Sequence, residues 1–162
     1  MMHYHATPED HAVLEKKGFL LVDSGATYMD GTTDITRTYP LGPLTEDEKR
    51  FYTWTLQSHI DLAKAVWLDY CECKMIDTIA REPLWRHLIN YRCGTGHSVS
   101  FVGNVHEGPH ALNSRNTTRM RPGMVVTDEP GVYETDLVGI RIENELVCVH
   151  KADNQYGTFL SF

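Results

Sequence analysis

The chain has 162 residues, a length that suits one domain, 1–162, with a sizeable core; its 41% hydrophobic and 23% charged residues exclude wholesale disorder. A net charge of −7, from 15 basic against 22 acidic residues with no Lys/Arg run, argues against nucleic-acid or anionic-membrane partners. No apolar run reaches the roughly 18 residues of a membrane helix, and the opening MMHYHATPEDH lacks a signal-type apolar core, so a soluble, cytoplasmic protein is expected.

Residues 19–28 (FLLVDSGATY) read as a strand, Asp30-Gly31 as a turn, and 33–39 as the returning strand. A two-residue loop at Met29-Asp30 sets Asp34 opposite Gly25, and one at Asp30-Gly31 sets it opposite Thr27. Either partner shares a face with Asp23, because strand side chains alternate. Two carboxylates so placed repel unless a cation or a shared proton intervenes.

Thr45-Glu46-Asp47-Glu48 has capping-box form. A helix is expected from there to about Leu68, with Phe51, Trp54, Ser58, Leu62 and Val66 on one face. A second helix covers roughly 75–82, where Pro83 ends or restarts it. Residues 93–118 are rich in Gly, Asn and Ser and read as irregular, with short extended pieces. Strands resume in MVVTDEP, GVYE and GIRIENELVCVH, giving two strand-rich blocks around helices, an α+β arrangement.

Four cysteines occur. Cys71 and Cys73 are spaced CxC with no second pair to complete a zinc knuckle, and Cys148 in LVCVH reads as core. The stronger signal is oxygen-rich. Asp23, Asp34, Glu129 and Glu143 lie in mostly apolar, glycine-marked segments together with His97 in GTGH. Acids gather in such surroundings when a cation compensates their charge. Four carboxylates and one imidazole suit Mn²⁺ or Co²⁺ better than a structural zinc, and point to a two-metal hydrolase. A faint internal repeat supports this: Val22-Asp23-Ser24-Gly25 with Tyr28 parallels Asp128-Glu129-Pro130-Gly131 with Tyr133, and Asp34–Arg37 parallels Gly139–Glu143.

The segments VDSGATYMDGTTDITRT, GTGH…VHEGPH, TDEPGVY and GIRIENE closely resemble the catalytic domain of Xaa-Pro aminopeptidases (aminopeptidase P). These belong to the pita-bread metallopeptidases, alongside prolidase, creatinase and methionine aminopeptidase; DGTTDITRT with VHEGP favours the aminopeptidase P branch. The resemblance implies a pita-bread α+β fold and a dinuclear site, usually manganese, with cobalt or zinc as alternatives. Asp23 would chelate one ion, His97 and Glu129 the other, and Asp34 and Glu143 would bridge them. The implied substrate is a peptide with proline in second position, attacked by a metal-activated hydroxide. Glu129 would also shuttle a proton, His106 would stabilise the tetrahedral intermediate, and His3 would line the substrate pocket. Arg141 would orient a bridging carboxylate from behind.

Two departures stand out. Cys93, Ser98 and Ser100 replace a histidine and two glycines of the family's HGTGHGVG, so the pocket loses a charged donor and a tight backbone path is expected to be crowded. The chain is also short against the family, a catalytic domain incomplete at both ends and without N-terminal domains. An exposed sheet edge would then favour a homo-oligomer, a dimer. Alternative readings are a catalytically impaired domain that binds metal, a peptide or a partner subunit, and a prolidase-like dipeptidase.

Overall fold

A computed structural model describes residues 4–162; His3, expected in the substrate pocket, lies outside the described residues. The first hairpin pairs β1 (Phe19–Tyr28) with β2 (Gly31–Pro40) antiparallel across a Met29-Asp30 turn. Of the two registers open to the sequence, Gly25 opposite Asp34 is the one adopted. Gly25 is required there, since a Cβ would sit 2.2 Å from the Thr33 carbonyl oxygen.

Helix α1 (Glu46–Ala63) starts at the expected Thr45, whose side chain and that of Glu48 cap each other's backbone N–H. It ends earlier than Leu68. Residues Val66–Leu68 instead form β3, an edge strand paired with β11 (Gly157–Ser161), which itself forms a hairpin with β10 (Val149–Asn154). In that pairing Trp67 is buried while Val66 points to solvent, so Val66 is not on the helical face with Phe51, Trp54, Ser58 and Leu62.

Helix α2 spans Cys73–Trp85, longer than expected at both ends. At its start the Cys73 and Lys74 amides donate to the Thr118 and Asn116 carbonyls, so a distant loop satisfies N–H groups that no local cap serves. Pro83 neither ends nor restarts it. The ring removes one donor, yet the ladder resumes with Arg86 N–H on Glu82, and fully buried Leu84 gains its packing.

A four-stranded sheet carries the order β5-β4-β6-β9, from β5 (Glu107–Leu112), β4 (Gly96–Ser98), β6 (Val125–Asp128) and β9 (Asn144–Val147). A second hairpin pairs β7 (Gly131–Glu134) with β8 (Val138–Arg141). The stretch GIRIENELVCVH is therefore three strands, broken at Ile142–Glu143 and Cys148. At the first break Ile142 N–H donates to Pro130 and Glu143 N–H to Thr36; at the second, Cys148 N–H donates to Met124. One apolar cluster joins Leu62, Trp67, Ile76, Met120, Val126 and Cys148, which confirms Cys148 as core. A second joins Leu84, Tyr91, Val132, Ile140 and Ile142 beneath α1.

Candidate metal centre

The β1–β2 register sets the first half of the site. Asp23 pairs with Thr36 and Gly25 with Asp34, so both acids and Thr36 occupy one face of the hairpin. The other half comes from strand ends. Gly96 lets β4 run so close to β6 that a Cβ would meet the Thr127 carbonyl oxygen at 1.7 Å. This approach brings His97 N–H to Thr127 Oγ1 at 2.9 Å, and the same hydroxyl donates to Glu129 Oε1 at 2.9 Å. Glu129 itself is held where β6 ends, its N–H on the Thr95 carbonyl at 2.8 Å. Glu143 sits in the break between β8 and β9, its N–H on the Thr36 carbonyl at 3.1 Å.

His97 Nε2 lies 3.1 Å from Glu129 Oε1 and 3.4 Å from Asp34 Oδ2. Single ligand atoms of Asp34, His97 and Glu143 all fall within 4.8 Å of one another. Glu143 is 1% exposed; Thr36 Oγ1 donates to its Oε2 at 2.5 Å, and its Oε1 has no hydrogen-bond partner among the described residues. Burial, with the charges of Glu129, Asp34 and Asp23 adding to it against the Thr36 hydrogen bond, pushes the Glu143 carboxyl up to about 8. Burial works against a charged His97, yet hydrogen bonds to Asp34 and Glu129 outweigh it and raise the imidazole to about 10.

These observations fit a cation. His97 Nδ1 lies 3.1 Å from the Ser98 carbonyl, so it carries the proton and leaves the Nε2 lone pair facing two carboxylates. That lone pair, the orphaned Glu143 Oε1 and Asp34 form a hard, mainly oxygen donor set. Without a cation they require extra protons, which is what both raised values express.

Asp23 stands apart from this inner group. Its side chain is 48% exposed, and its Oδ2 accepts from Arg141 Nη2 at 2.5 Å. Arg141 also donates to Tyr133 Oη at 2.9 Å and to Thr36 Oγ1 at 3.1 Å, and lies 3.7 Å from Glu129 Oε2. Its direct carboxylate partners are thus Asp23 and Glu129; it reaches the expected bridging acid Glu143 only through the Thr36 hydroxyl. His106 is exposed, its ring edge-on to His97 with centroids 3.9 Å apart.

Sequence reasoning missed Thr36, Thr127 and Tyr133, ordinary strand residues: the two threonine hydroxyls donate to Glu143 and Glu129, and the Tyr133 hydroxyl accepts from Arg141. Glu145 was also missed: its Oε1 accepts the Asp34 N–H at 2.8 Å. Alternation was a usable signal for Thr36, two residues beyond Asp34 on the same face. Of the departures, Cys93 is half-buried, and its carbonyl accepts from Arg81 Nη2 at 2.8 Å. Ser98 and Ser100 are buried, and Ser100 Oγ donates to the Asn104 carbonyl at 2.7 Å, tying the following loop.

A model of metallopeptidase family M24 matches residues 1–150. The chain is 44% identical over 161 residues to a protein of Laccaria bicolor named a probable Xaa-Pro aminopeptidase P, covering 97% of this chain and 25% of that one. It is 43% identical over 168 residues to aminopeptidase P2 of Arabidopsis thaliana, covering 100% and 24%. An X-prolyl aminopeptidase from Caenorhabditis elegans, described as a cytosolic enzyme with a di-nuclear active site, matches in structure with a TM-score of 0.82 at 39% identity, over 89% of this chain and 24% of that one. Prolidase from Pyrococcus furiosus matches at 0.74 and 30%, over 81% and 39%. The chain spans about a quarter of the length of the curated relatives it matches.

Proposed function

The chain belongs to metallopeptidase family M24 and has its pita-bread fold, and on that premise we propose that it is the metal-binding part of an Xaa-Pro aminopeptidase. The observation that carries this reading is the convergence of ligand atoms of Asp34, His97 and Glu143 within 4.8 Å of one another, with Glu143 Oε1 buried and unpaired and Glu129 beside His97. The reading treats 1–162 as one catalytic-domain unit. Its substrate class is a peptide with proline in second position, in keeping with the relatives named Xaa-Pro aminopeptidases.

Two divalent ions, Mn²⁺ with Co²⁺ or Zn²⁺ as alternatives, would be held by Asp23, Asp34, His97, Glu129 and Glu143, with Asp34 and Glu143 shared between them. When bound, such ions supply Lewis acidity and a water-derived nucleophile at neutral pH. The chain's own residues do the rest. The Ser98 carbonyl fixes the His97 tautomer, Thr36 and Thr127 orient Glu143 and Glu129, and Arg141 tethers Asp23 through Oδ2. Thr127 donates to Glu129 Oε1 and not to Oε2, which supports Oε2 as the oxygen that would carry a proton to the proline nitrogen of the leaving peptide. His106, exposed and packed on His97, would donate to the scissile carbonyl oxygen as negative charge develops there.

Cleavage of the first residue from an Xaa-Pro-Yaa peptide by the Mn²⁺-loaded protein tests the reading; no turnover with Mn²⁺ or Co²⁺ sinks it. A prolidase-like dipeptidase is the second reading, prompted by the likeness to the Pyrococcus furiosus prolidase. Faster turnover of Xaa-Pro dipeptides than of longer peptides would select it. A cytoplasmic homodimer is the proposed setting, the location in keeping with the Caenorhabditis elegans enzyme described as cytosolic.

A further inference from the structure

Helix α1 presents to the acid-bearing strands a histidine that the reading above does not use. His59 is 6% exposed. Its Nδ1 lies 3.2 Å from the Asp128 carbonyl oxygen and 3.1 Å from Asp128 Oδ2. Its Nε2 lies 3.0 Å from Asn144 Nδ2. The Asn144 amide is oriented by Arg37, whose Nη2 can only donate and meets Asn144 Oδ1 at 2.9 Å. Asn144 Nδ2 is therefore the donor, His59 Nε2 the acceptor, and His59 Nδ1–H donates to the Asp128 carbonyl. Arg37 Nη1 continues the relay to the Thr36 carbonyl at 2.9 Å and to the Glu143 carbonyl.

The residues this relay touches have one feature in common. Asp128 immediately precedes Glu129, Asn144 immediately follows Glu143, and Thr36 lies two positions beyond Asp34 on β2. One polar chain thus grips the three segments that carry three of the candidate metal-binding carboxylates, and it does so from behind. The Asp128 carboxylate is fully buried, neither oxygen has a hydrogen-bond partner among the described residues, and the His59 ring lies 3.1 Å from its Oδ2. Burying a carboxylate so sparsely paired is costly, and simple packing of α1 would favour an apolar residue at either position.

We propose that His59 is a positioning residue of the metal centre: a clasp from α1 that fixes the spacing of the Glu129 and Glu143 segments and thereby sets metal affinity. This rests on the metal-centre reading above. The test is calorimetric titration of the full chain with Mn²⁺ alone, for wild type, His59→Ala, His59→Asn and His59→Gln. Each variant is also melted metal-free. Ser58→Ala serves as the control, because Ser58 ties α1 to the Ala80 carbonyl of α2 and its hydroxyl hydrogen-bonds to no acid-bearing segment among the described residues.

His59→Ala is expected to weaken Mn²⁺ binding by roughly 10- to 100-fold, the usual effect of losing a group that orients ligands. Ser58→Ala should lower the melting temperature with Mn²⁺ affinity unchanged. Asn replaces the donor toward Asp128 and Gln reaches toward Asn144, so each should recover part of the loss; these two decide the matter if the alanine variant does not fold. Wild-type affinity in the histidine variants beside a metal-binding wild type overturns the clasp alone. A wild type that takes up no Mn²⁺ overturns the metal-centre reading and the clasp with it.

Discussion

Thr36→Val isolates the orientation of Glu143 from the identity of any ligand. The exchange keeps the β-branched shape on β2 and replaces only the hydroxyl, which donates to Glu143 Oε2 at 2.5 Å and accepts from Arg141 Nε at 3.1 Å. Thr36 is fully buried, so no water can substitute at either partner without rearrangement. A hydrogen bond to a charged group contributes about 1.5–3 kcal/mol, and Arg141 keeps this one charge-assisted whatever the protonation of Glu143. A loss of about 2 kcal/mol lowers the melting temperature of a chain this long by roughly 4–8 °C. Thermal melts in chelator give that number, and Mn²⁺ titration should add a loss of roughly 10- to 100-fold in affinity. A destabilisation under about 0.5 kcal/mol, the range of ordinary surface changes, with unchanged Mn²⁺ affinity would refute the assignment of Thr36 as the link between Arg141 and Glu143.

Metal-free protein should lose stability as pH rises. Glu143 goes from 4.5 unfolded to about 8 folded and His97 from 6.5 to about 10, so the folded state holds more protons across both windows. Melting in chelator at about pH 6 should therefore exceed that at about pH 9, with Mn²⁺ narrowing the gap; a flat or rising chelator profile argues against the buried-acid cluster. Gly96→Ala drives a methyl into the Thr127 carbonyl, so the unfolding free energy from denaturant titration should fall by the upper end of the roughly 1–3 kcal/mol range for overpacking; wild-type stability would mean β4 and β6 are not in that contact. His106→Ala should leave Mn²⁺ uptake intact while turnover drops by about 10²–10³, and an equal loss in both would make His106 a ligand instead.

What the sequence revealed of this molecule was local. The β1–β2 hairpin and the Thr45 cap are encoded by neighbouring residues, although the turn falls at Met29-Asp30, and Gly31, read as part of the turn, already opens β2. The end of α1 was not legible, because Val66–Leu68 becomes a strand only through β11, far away in the chain. The true start of α2 was hidden for the same reason, being capped by the 116–118 backbone. In the site, carboxylates and a histidine in glycine-marked segments announced themselves by being out of place among apolar residues. Thr36, Thr127 and His59 did not. A strand threonine or a helix histidine is unremarkable until its partners, Glu143, Glu129 and Asn144, are brought to it by tertiary packing. Likewise the Asp23–Arg141 pair depends on β1 lying beside β8.

The central claim is a two-ion centre. It is tested most directly by counting bound metal in protein equilibrated with Mn²⁺ and freed of excess ion, alongside Glu143→Gln. The account predicts two ions per wild-type chain and a deficit in the variant, because Glu143 is proposed to serve both ions. No bound ion in folded wild type, or the same count in wild type and Glu143→Gln, would contradict it.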